Sequence, residues 1–214
     1  MKTAVIAGGT GLVGSELLLQ LLDSDRYARV IALLRRESPL NHPKLEKLIV
    51  DFQHLEKGLA DRPADDVYCC LGTTMAKAGS TEMFYEVDFH YPLALAKATR
   101  AAGATQFLLV SALGAKKTSS IFYNKVKGET EDAVRNVGFD TLHIFRPSLL
   151  LGARPEKRRG EDAAKLLYKI FGRVIPRKFK AIEARTVAQA MIACGSRGET
   201  GVFVHESHEI QQYA

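Results

Sequence analysis

Tryptophan is absent from this chain of 214 residues, and cysteine occurs only three times. Three cysteines are too few, and odd in number, for the disulfide framework of a small secreted protein. No apolar run approaches the roughly 20 residues that a membrane-spanning helix needs, since typical runs are as short as Val30–Leu34. No Cys/His cluster has the spacing of metal ligands, so no metal is expected.

The N-terminus also lacks the long apolar region of a secretory signal peptide, which makes a cytoplasmic location the expectation. Hydrophobic residues make up 46% of the chain and charged residues 25%, as in soluble globular proteins. This length and composition predict one domain that spans residues 1–214 and buries a substantial core.

Excess positive charge is confined to one segment. The net charge is +6, and residues 154–180 carry ten Lys or Arg against three Asp or Glu. Such a cluster attracts anions, so a small-molecule ligand or partner of negative charge is one hypothesis, and a solvated charged face is the other. No nucleic-acid-binding motif accompanies the charge, and no nucleic acid is expected as a partner.

Short apolar strands alternate with amphipathic helices along the chain. Strands are predicted at 2–7, 28–34, 47–51, 66–72, 106–111, 141–147 and 201–205. Helices are predicted at 12–22, 81–102, 122–136 and 185–194. This alternation predicts an α/β fold, a Rossmann-type doubly wound parallel sheet with helices on both faces. The irregular residues 148–180 are predicted to form a small substrate-side insertion, or lid, in the C-terminal part.

A glycine-rich turn joins the first strand to the first helix. Its glycines fit both Gly8-x-x-Gly11-x-x-Gly14 and a pattern that begins one residue later. Glycines in this context allow a tight turn, a close approach of a pyrophosphate and tight helix–strand packing. The pyrophosphate would face the free N–H groups of the helix N-terminus. The predicted dinucleotide contacts in this turn are Gly8, Thr10, Gly11, Leu12, Val13 and Gly14.

The end of the second strand indicates which dinucleotide is bound. An NAD site usually has an acidic residue about 20 residues after the glycines, whereas this chain has Arg35 and Arg36. Guanidinium groups match a 2′-phosphate, which favours NADP over NAD, although Glu37 keeps NAD possible. Asp51-Phe52 is predicted to meet the adenine, and Leu71-Gly72-Thr73 to back the ribose.

The segment FYNKVKGETE carries the predicted chemistry. Tyr123 and Lys127 are spaced i, i+4 and therefore project from one helix face. A tyrosine can protonate a carbonyl oxygen as hydride reaches the carbon, and a neighbouring ammonium favours its phenolate form. Ser111, at the end of a strand, would hydrogen-bond the substrate oxygen. His143, isolated in an apolar strand, is predicted to be a core or edge residue rather than a base.

These motifs resemble the short-chain dehydrogenase/reductases over essentially the full length. The combination of GGTGLVG, YCCLGTT, VSALGA, YNKVKGETE and FRPSLLLG is similar to the atypical, Tat-interacting-protein-like branch. The resemblance implies NADP(H) binding, a triad of Ser111, Tyr123 and Lys127, and contacts from Pro147, Ser148 and Leu149 to the nicotinamide end. Asp88 departs from the wider family, in which an asparagine often holds a helix kink and a proton-relay water there.

Two functions of different classes remain open. The first is an NADP-dependent oxidoreductase that acts on a small carbonyl or alcohol. The alternative is a regulatory or interaction protein that binds NADP(H) with little turnover, because a Rossmann fold does not fix function. The sequence names no substrate, and it leaves the oligomeric state open, a homo-oligomer included.

Overall fold

A computed structural model describes residues 1–152, 176 and 179–214, apart from the side chains of Glu56 and Lys57. The first half contains β1 (Lys2–Ala7), α1 (Leu12–Asp23), β2 (Tyr27–Leu34), β3 (Leu45–Ile49), α2 (Leu55–Leu59), β4 (Asp66–Cys69), α3 (Met75–Ala78), α4 (Thr81–Tyr85), a π-helical turn (Glu86–His90) and α5 (Tyr91–Ala101). The second half contains β5 (Gln106–Val110), α6 (Phe122–Arg135), β6 (Thr141–Arg146), β7 (Leu150–Leu151), β8 (Ile182–Glu183), α7 (Ala184–Gly195), β9 (Gly201–Glu206), α8 (Ser207–Ile210) and a 3-10 turn (Gln211–Tyr213).

Seven strands form one parallel sheet in the order β3-β2-β1-β4-β5-β6-β9. The chain runs outward from β1 to β3 and then restarts at β4 on the other side of β1. In open α/β sheets, ligands bind at the carboxyl ends of the strands beside such a switch point. The predicted Rossmann-type fold is therefore confirmed, and its switch point lies between β1 and β4.

Both faces of the sheet are covered by apolar packing. Ala4 and Ile6 of β1 lie in one cluster with residues of α1 and α7, whereas Val5 and Ala7 lie in a second cluster beneath α2 and α5. This alternation follows from the two-residue period of a strand. It explains why these strands read as continuous apolar runs rather than as alternating patterns.

The prediction of one continuous helix over 81–102 is wrong in one respect. It is interrupted by the π-helical turn Glu86–His90, in which the N–H of Tyr91 donates to the carbonyl oxygen of Glu86. Pro92 explains the break, because proline has no N–H for the carbonyl four residues earlier and its ring crowds that carbonyl. That carbonyl belongs to Asp88, and the Thr130 hydroxyl of α6 donates to it at 2.8 Å instead.

Two strand predictions shift by more than one residue at an end. β3 begins at Leu45, two residues before the predicted start, and pairs with Val30–Leu34. β4 ends at Cys69, so Cys70 and the residues up to Gly72 lie in the loop that leaves the sheet.

Most of the predicted insertion, and with it most of the basic segment, lies outside the described residues. The described part contains the two-stranded pair of β7 with β8. No helix of the described residues is long and apolar enough to cross a membrane.

His143 is buried on β6, as predicted, and stacks on rings of the edge strand β9. Its Nδ1 lies 3.0 Å from Nε2 of His205, and its ring is 5.0 Å from that of Phe203. Burial, together with His205, lowers the pKa of His143 to about 4. The imidazole is therefore an uncharged core group.

The buried His143 predicts a loss of stability in acid. An unfolded histidine takes up a proton near pH 6.5, whereas the folded one does so near pH 4. The unfolded state thus binds more protons between these values, and stability falls as pH drops through them, by about 3 kcal/mol in all. His143→Phe should flatten the slope of the free energy of unfolding between pH 6.5 and 4, measured by urea titration.

The exposed His208→Asn serves as the control and should keep the wild-type slope. A His143→Phe protein with the wild-type slope would contradict the assignment of this acid sensitivity to the buried ring.

Candidate active site

The glycine turn after β1 is shaped by two backbone contacts. Gly8 has φ +83°, and its carbonyl oxygen accepts from the N–H of Gly11 at 2.9 Å. A Cβ on Gly14 would lie 2.0 Å from that same oxygen, and a Cβ on Gly8 would lie 2.5 Å from the carbonyl oxygen of Cys70. Gly8 therefore makes the left-handed turn that α1 needs in order to start against β1.

The N-terminus of α1 faces the carboxyl edge of the sheet at the switch point. Gly11 precedes the helix, and no side chain caps it. The N–H groups of the first helical turn have no intrahelical acceptor, so they are available to an anion. Thr10 and Gly11 are exposed, Leu12 is half-buried, and Val13 is buried in the core. The turn thus offers backbone donors rather than side chains.

Arg35 and Arg36 follow β2 directly and are both exposed. Arg35 lies close enough to Tyr91 to lower the pKa of that phenol, although burial of the Tyr91 hydroxyl is the larger influence and the net shift is upward. Within the described residues, neither arginine makes an ion pair. Both guanidinium groups are therefore available to a ligand at the end of β2.

The predicted adenine residues behave differently from each other. Asp51 is exposed and accepts from the N–H of Gln53 at 3.0 Å. Phe52 lies in the core and stacks on Tyr91 with ring centroids 5.2 Å apart. Its ring is thus committed to packing, and an adenine at this place would meet the backbone of Phe52 rather than its ring.

Tyr123 and Lys127 lie one turn apart on α6, as their spacing predicts. The Tyr123 ring is half-buried and packs on Phe84 of α4, with centroids 5.6 Å apart. None of the described residues hydrogen-bonds the Tyr123 hydroxyl. The phenol is therefore a free donor at the N-terminal end of the helix.

Lys127 is buried with only 6% of its surface exposed, and its ammonium pairs with Asp88 at 2.8 Å. Burial lowers the pKa of Lys127, but the Asp88 carboxylate opposes burial, and the net shift of this pKa is upward. A Cβ on Gly72 would lie 3.4 Å from the lysine Nζ. The ammonium thus sits beside the loop after β4, where the ribose is predicted.

Ser111 is not joined to Tyr123 by a hydrogen bond. It is buried, and its hydroxyl donates to Glu131 Oε1 at 2.5 Å. Glu131 also accepts two bonds from Arg146, at 3.0 and 2.6 Å. The structure therefore brings Lys127 and Tyr123 together on one helix face, while the third member of the predicted triad faces a buried carboxylate one turn further along.

The residues predicted at the nicotinamide end follow β6. Pro147 is buried, and Leu149 is 54% exposed. The Ser148 hydroxyl donates to the carbonyl oxygen of Lys180 and accepts from Ser207. Ser148 therefore ties the end of β6 to the chain that returns toward α7.

Three residues of the site were missed by the interpretation of the sequence. Thr130 supplies the missing donor to the π-helical turn, and Glu131 holds Ser111. Gly128 lets the loop after β5 cross α6, since a Cβ there would lie 2.2 Å from the N of Lys117. Pro92, just after the π-helical turn, was the available signal for Thr130, and the glycine within α6 was the signal for a close crossing.

Comparison with known proteins places this site in a family. A model described as NAD(P)H-binding matches residues 8–194, which include the glycine turn, Tyr123 and Lys127. The chain belongs to this NAD(P)H-binding family. Binding of a dinucleotide phosphate is consistent with the N–H groups at the start of α1, which have no intrahelical acceptor.

Curated relatives cover most of the chain. Protein HTATIP2 of Rattus norvegicus is 36% identical over 89% of this chain and 80% of its own. Protein fmp52, mitochondrial, of Aspergillus clavatus is 32% identical over 94% of this chain and 90% of its own. The resemblance to the Tat-interacting-protein-like branch is thereby confirmed.

Solved structures of the same fold include NAD complexes. The Bordetella bronchiseptica enzyme WbmH, solved with NAD+, aligns with TM-score 0.72 at 18% identity over 97% of this chain and 76% of its own. A UDP-N-acetylglucosamine 4-epimerase from Methanobrevibacter ruminantium aligns with TM-score 0.71 at 18% identity over 96% and 76%. At this identity the likeness concerns the fold.

The expected cytoplasmic location is contradicted by these relatives, because the Fmp52 proteins of several Aspergillus species are named mitochondrial. The expectation rested on the missing apolar leader. Such a leader marks secretion only, whereas mitochondrial transit peptides are amphipathic and rich in arginine and serine.

No group of three metal-ligating side chains occurs in the part of the chain that the structure describes.

The crossing at Gly128 predicts a strong effect of a single methyl group. Gly128→Ala would drive the loop at Lys116 and Lys117 away from α6, where the N–H of Lys116 now donates to the carbonyl oxygen of Asn124 at 3.0 Å. We expect the free energy of unfolding to fall by about 2 kcal/mol or more, and binding of a nicotinamide dinucleotide to weaken because the start of α6 moves.

Gly58→Ala in α2 is the matched control, because its Cβ would make only ordinary contacts of 3.6 and 3.7 Å. Urea denaturation and cofactor titration of both variants compare the two sites. Equal stability of the two variants would show that the loop accommodates the methyl group.

Proposed function

We propose that this protein is an NADP(H)-dependent oxidoreductase that transfers hydride between the nicotinamide and a small carbonyl or alcohol. The observation that carries the proposal is the placement of the Tyr123 hydroxyl, which no described residue hydrogen-bonds, one turn from the buried Lys127 ammonium, beside the loop after β4. The cofactor, when bound, supplies the hydride. The chain supplies orientation, the proton and the charge around it.

Tyr123 is the proposed acid and base of the reaction. Its hydroxyl donates a proton to the carbonyl oxygen as the carbon is reduced, and takes a proton from the alcohol in the reverse direction. The Lys127 ammonium stabilises the negative charge that then develops on the phenol oxygen. A lysine retains N–H groups for the ribose hydroxyls when only part of its donors is used by a carboxylate.

Ser111 joins the reaction only by exchanging its partner. Its hydroxyl would leave Glu131 and donate to the substrate oxygen. Glu131 keeps both bonds from Arg146 in that case, so the exchange leaves no buried carboxylate without a donor. The exchange breaks one strong hydrogen bond, the bond from the Ser111 hydroxyl to Glu131.

Three exposed apolar side chains lie on, or next to, the elements that carry the proposed site. Met83 precedes the phenylalanine that touches Tyr123, and Ile121 comes directly before α6; they are 48% and 60% exposed. Leu149, after β6, is 54% exposed. These residues favour aliphatic or aromatic carbonyl compounds over sugars in a search for substrates.

The preference for NADP rests on Arg35 and Arg36. Both are exposed at the end of β2 and lack an ion-pair partner among the described residues. A 2′-phosphate at this place would accept charge-assisted hydrogen bonds from either guanidinium group. The neighbouring Glu37 is exposed as well and leaves binding of NAD possible at lower affinity.

The second candidate function is a regulator that binds NADP(H) with little turnover. Two observations favour it: Ser111 is occupied by Glu131, and Lys127 is charge-compensated by Asp88. Both contacts occupy groups that the proposed reaction needs, whereas neither involves the glycine turn that would bind the cofactor. The rate at which NADPH absorbance is lost in the presence of a panel of aldehydes and ketones separates the two functions.

The arginine pair gives the first test. Replacing Arg35 and Arg36 together with glutamine should weaken NADPH binding by about tenfold or more, because two charge-assisted bonds to phosphate are lost. NADH binding should change little. Calorimetric titration of both cofactors into wild type and variant measures this, and equal losses for NADPH and NADH would contradict the assignment.

The phenol gives the second test. Tyr123→Phe should lower turnover at least about a hundredfold, since general acid catalysis contributes that much, while the NADPH dissociation constant stays nearly unchanged. Tyr85→Phe is the control, because its hydroxyl donates to Glu129 on the outer side of α6. Undiminished turnover of Tyr123→Phe would show that another group supplies the proton, whereas negligible turnover of the wild type itself would favour the regulatory function.

A further inference from the structure

Asp88 is a buried carboxylate with a partner on each oxygen. It has no exposed surface, its Oδ2 accepts from the backbone N–H of Thr73 at 2.8 Å, and its Oδ1 lies 2.8 Å from the Lys127 ammonium. The first contact fixes the loop after β4, where the ribose is predicted. The second fixes the lysine of the proposed active site.

The backbone of Asp88 is fixed as firmly as its side chain. It lies inside the π-helical turn, and its carbonyl oxygen accepts from the Thr130 hydroxyl of α6. Thr130 follows Lys127 by less than one helical turn. Asp88 is thus attached to α6 at two points, once through its carbonyl and once through its carboxylate.

Few other groups can balance the charge on Lys127. Tyr123 on the same helix and the buried thiol of Cys69 on β4 also face it, and burial raises the pKa of that thiol to about 12. Glu131, one turn further along α6, is taken by Arg146 and Ser111. In the described part of the chain, Asp88 is therefore the carboxylate that pairs with this ammonium.

A buried ammonium without a counter-charge is costly, and such lysines lose their proton at lower pH. We propose that Asp88 is a positioning residue that holds the Lys127 ammonium beside the ribose loop and balances its charge there. This inference rests on the proposed function for its chemical meaning. Its geometry stands without it, because the contacts of Asp88 with Lys127, Thr73 and Thr130 are made by residues of this chain alone.

The role differs from that of an asparagine at the same place. An amide can orient a lysine or a water but brings no charge. A carboxylate keeps the ammonium protonated while opposing the field that it exerts on Tyr123. The ion pair therefore fixes the position of the Lys127 ammonium but weakens the effect of its charge on the Tyr123 hydroxyl.

The direct test follows the lysine in the protein without cofactor. In wild type labelled with ¹³C-lysine, the Cε signal of Lys127, assigned with Lys127→Met, should show no titration below pH 9. In Asp88→Asn its titration midpoint should fall by more than about one pH unit relative to wild type. Asp132→Asn is the matched control, since it removes the partner of Lys117 from an exposed ion pair on the same helix.

A second variant keeps the inference testable if Asp88→Asn fails to fold. Lys127→Met leaves the Asp88 carboxylate buried without its cation, so it should be less stable to urea than the Asp88→Asn/Lys127→Met double variant, in which both charges are removed. An unchanged midpoint for Lys127 in folded Asp88→Asn, or a Lys127→Met protein as stable as the double variant, would overturn the proposal.

Cofactor binding provides a functional readout that a merely structural role would not move. In Asp88→Asn, NADPH affinity should fall as the pH is raised toward the lowered titration midpoint of Lys127, because the lysine loses its charge there. In wild type the affinity should stay level, and in the Asp88→Asn/Lys127→Met double variant the pH dependence should vanish. Failure of the proposed reaction would appear as no turnover in any variant, while the lysine titration would be unaffected.

Discussion

Two ion pairs, one buried and one partly buried, fasten α6 to the rest of the fold. Lys127 pairs with Asp88 on one side, and Glu131, one turn later, pairs with Arg146 at the end of β6. Breaking a buried pair by removing one partner typically costs about 3–5 kcal/mol, because the remaining charge is left without compensation. The position of the helix, and of Tyr123 at its start, is therefore set by charge as well as by apolar packing.

The cofactor half of the site is held by a different kind of constraint. There the backbone approaches itself so closely that only glycine fits at Gly8 and Gly14, and no side chain is needed to cap α1. The cofactor half and the catalytic half of the site therefore depend on two different physical constraints. Steric exclusion shapes the phosphate turn, and buried electrostatics shapes the region around Tyr123. The loop after β4 joins them, because Thr73 donates to Asp88.

Much of this arrangement follows from local patterns in the sequence. The glycines after β1 and the i, i+4 spacing of Tyr123 and Lys127 specify geometry within a few residues, so their placement could be predicted. The Rossmann-type order of strands followed from the alternation of apolar strands with helices. These features depend on short-range sterics and periodicity, which a single sequence contains.

What could not be predicted depends on residues far apart in the chain. Ser111 and Glu131 are 20 residues apart, and Asp88 and Thr130 are 42 apart. Their contacts arise only when β5, α6 and the π-helical turn are packed together. Pro92 was a visible local signal that the helix over 81–102 must deviate. The direction of that deviation, toward Thr130, was set by α6 and could not be deduced from the proline alone.

The same contacts bear on whether the site turns over substrate or senses its cofactor. A site poised for rapid chemistry leaves its hydroxyl and its ammonium free for the substrate and the phenol. Here the Ser111 hydroxyl is engaged by Glu131, and the Lys127 charge is balanced by Asp88. Both engagements involve residues of α6, the helix that carries Tyr123. On the proposed function, the free energy needed to free Ser111 from Glu131 therefore decides whether the bound cofactor is turned over or only sensed.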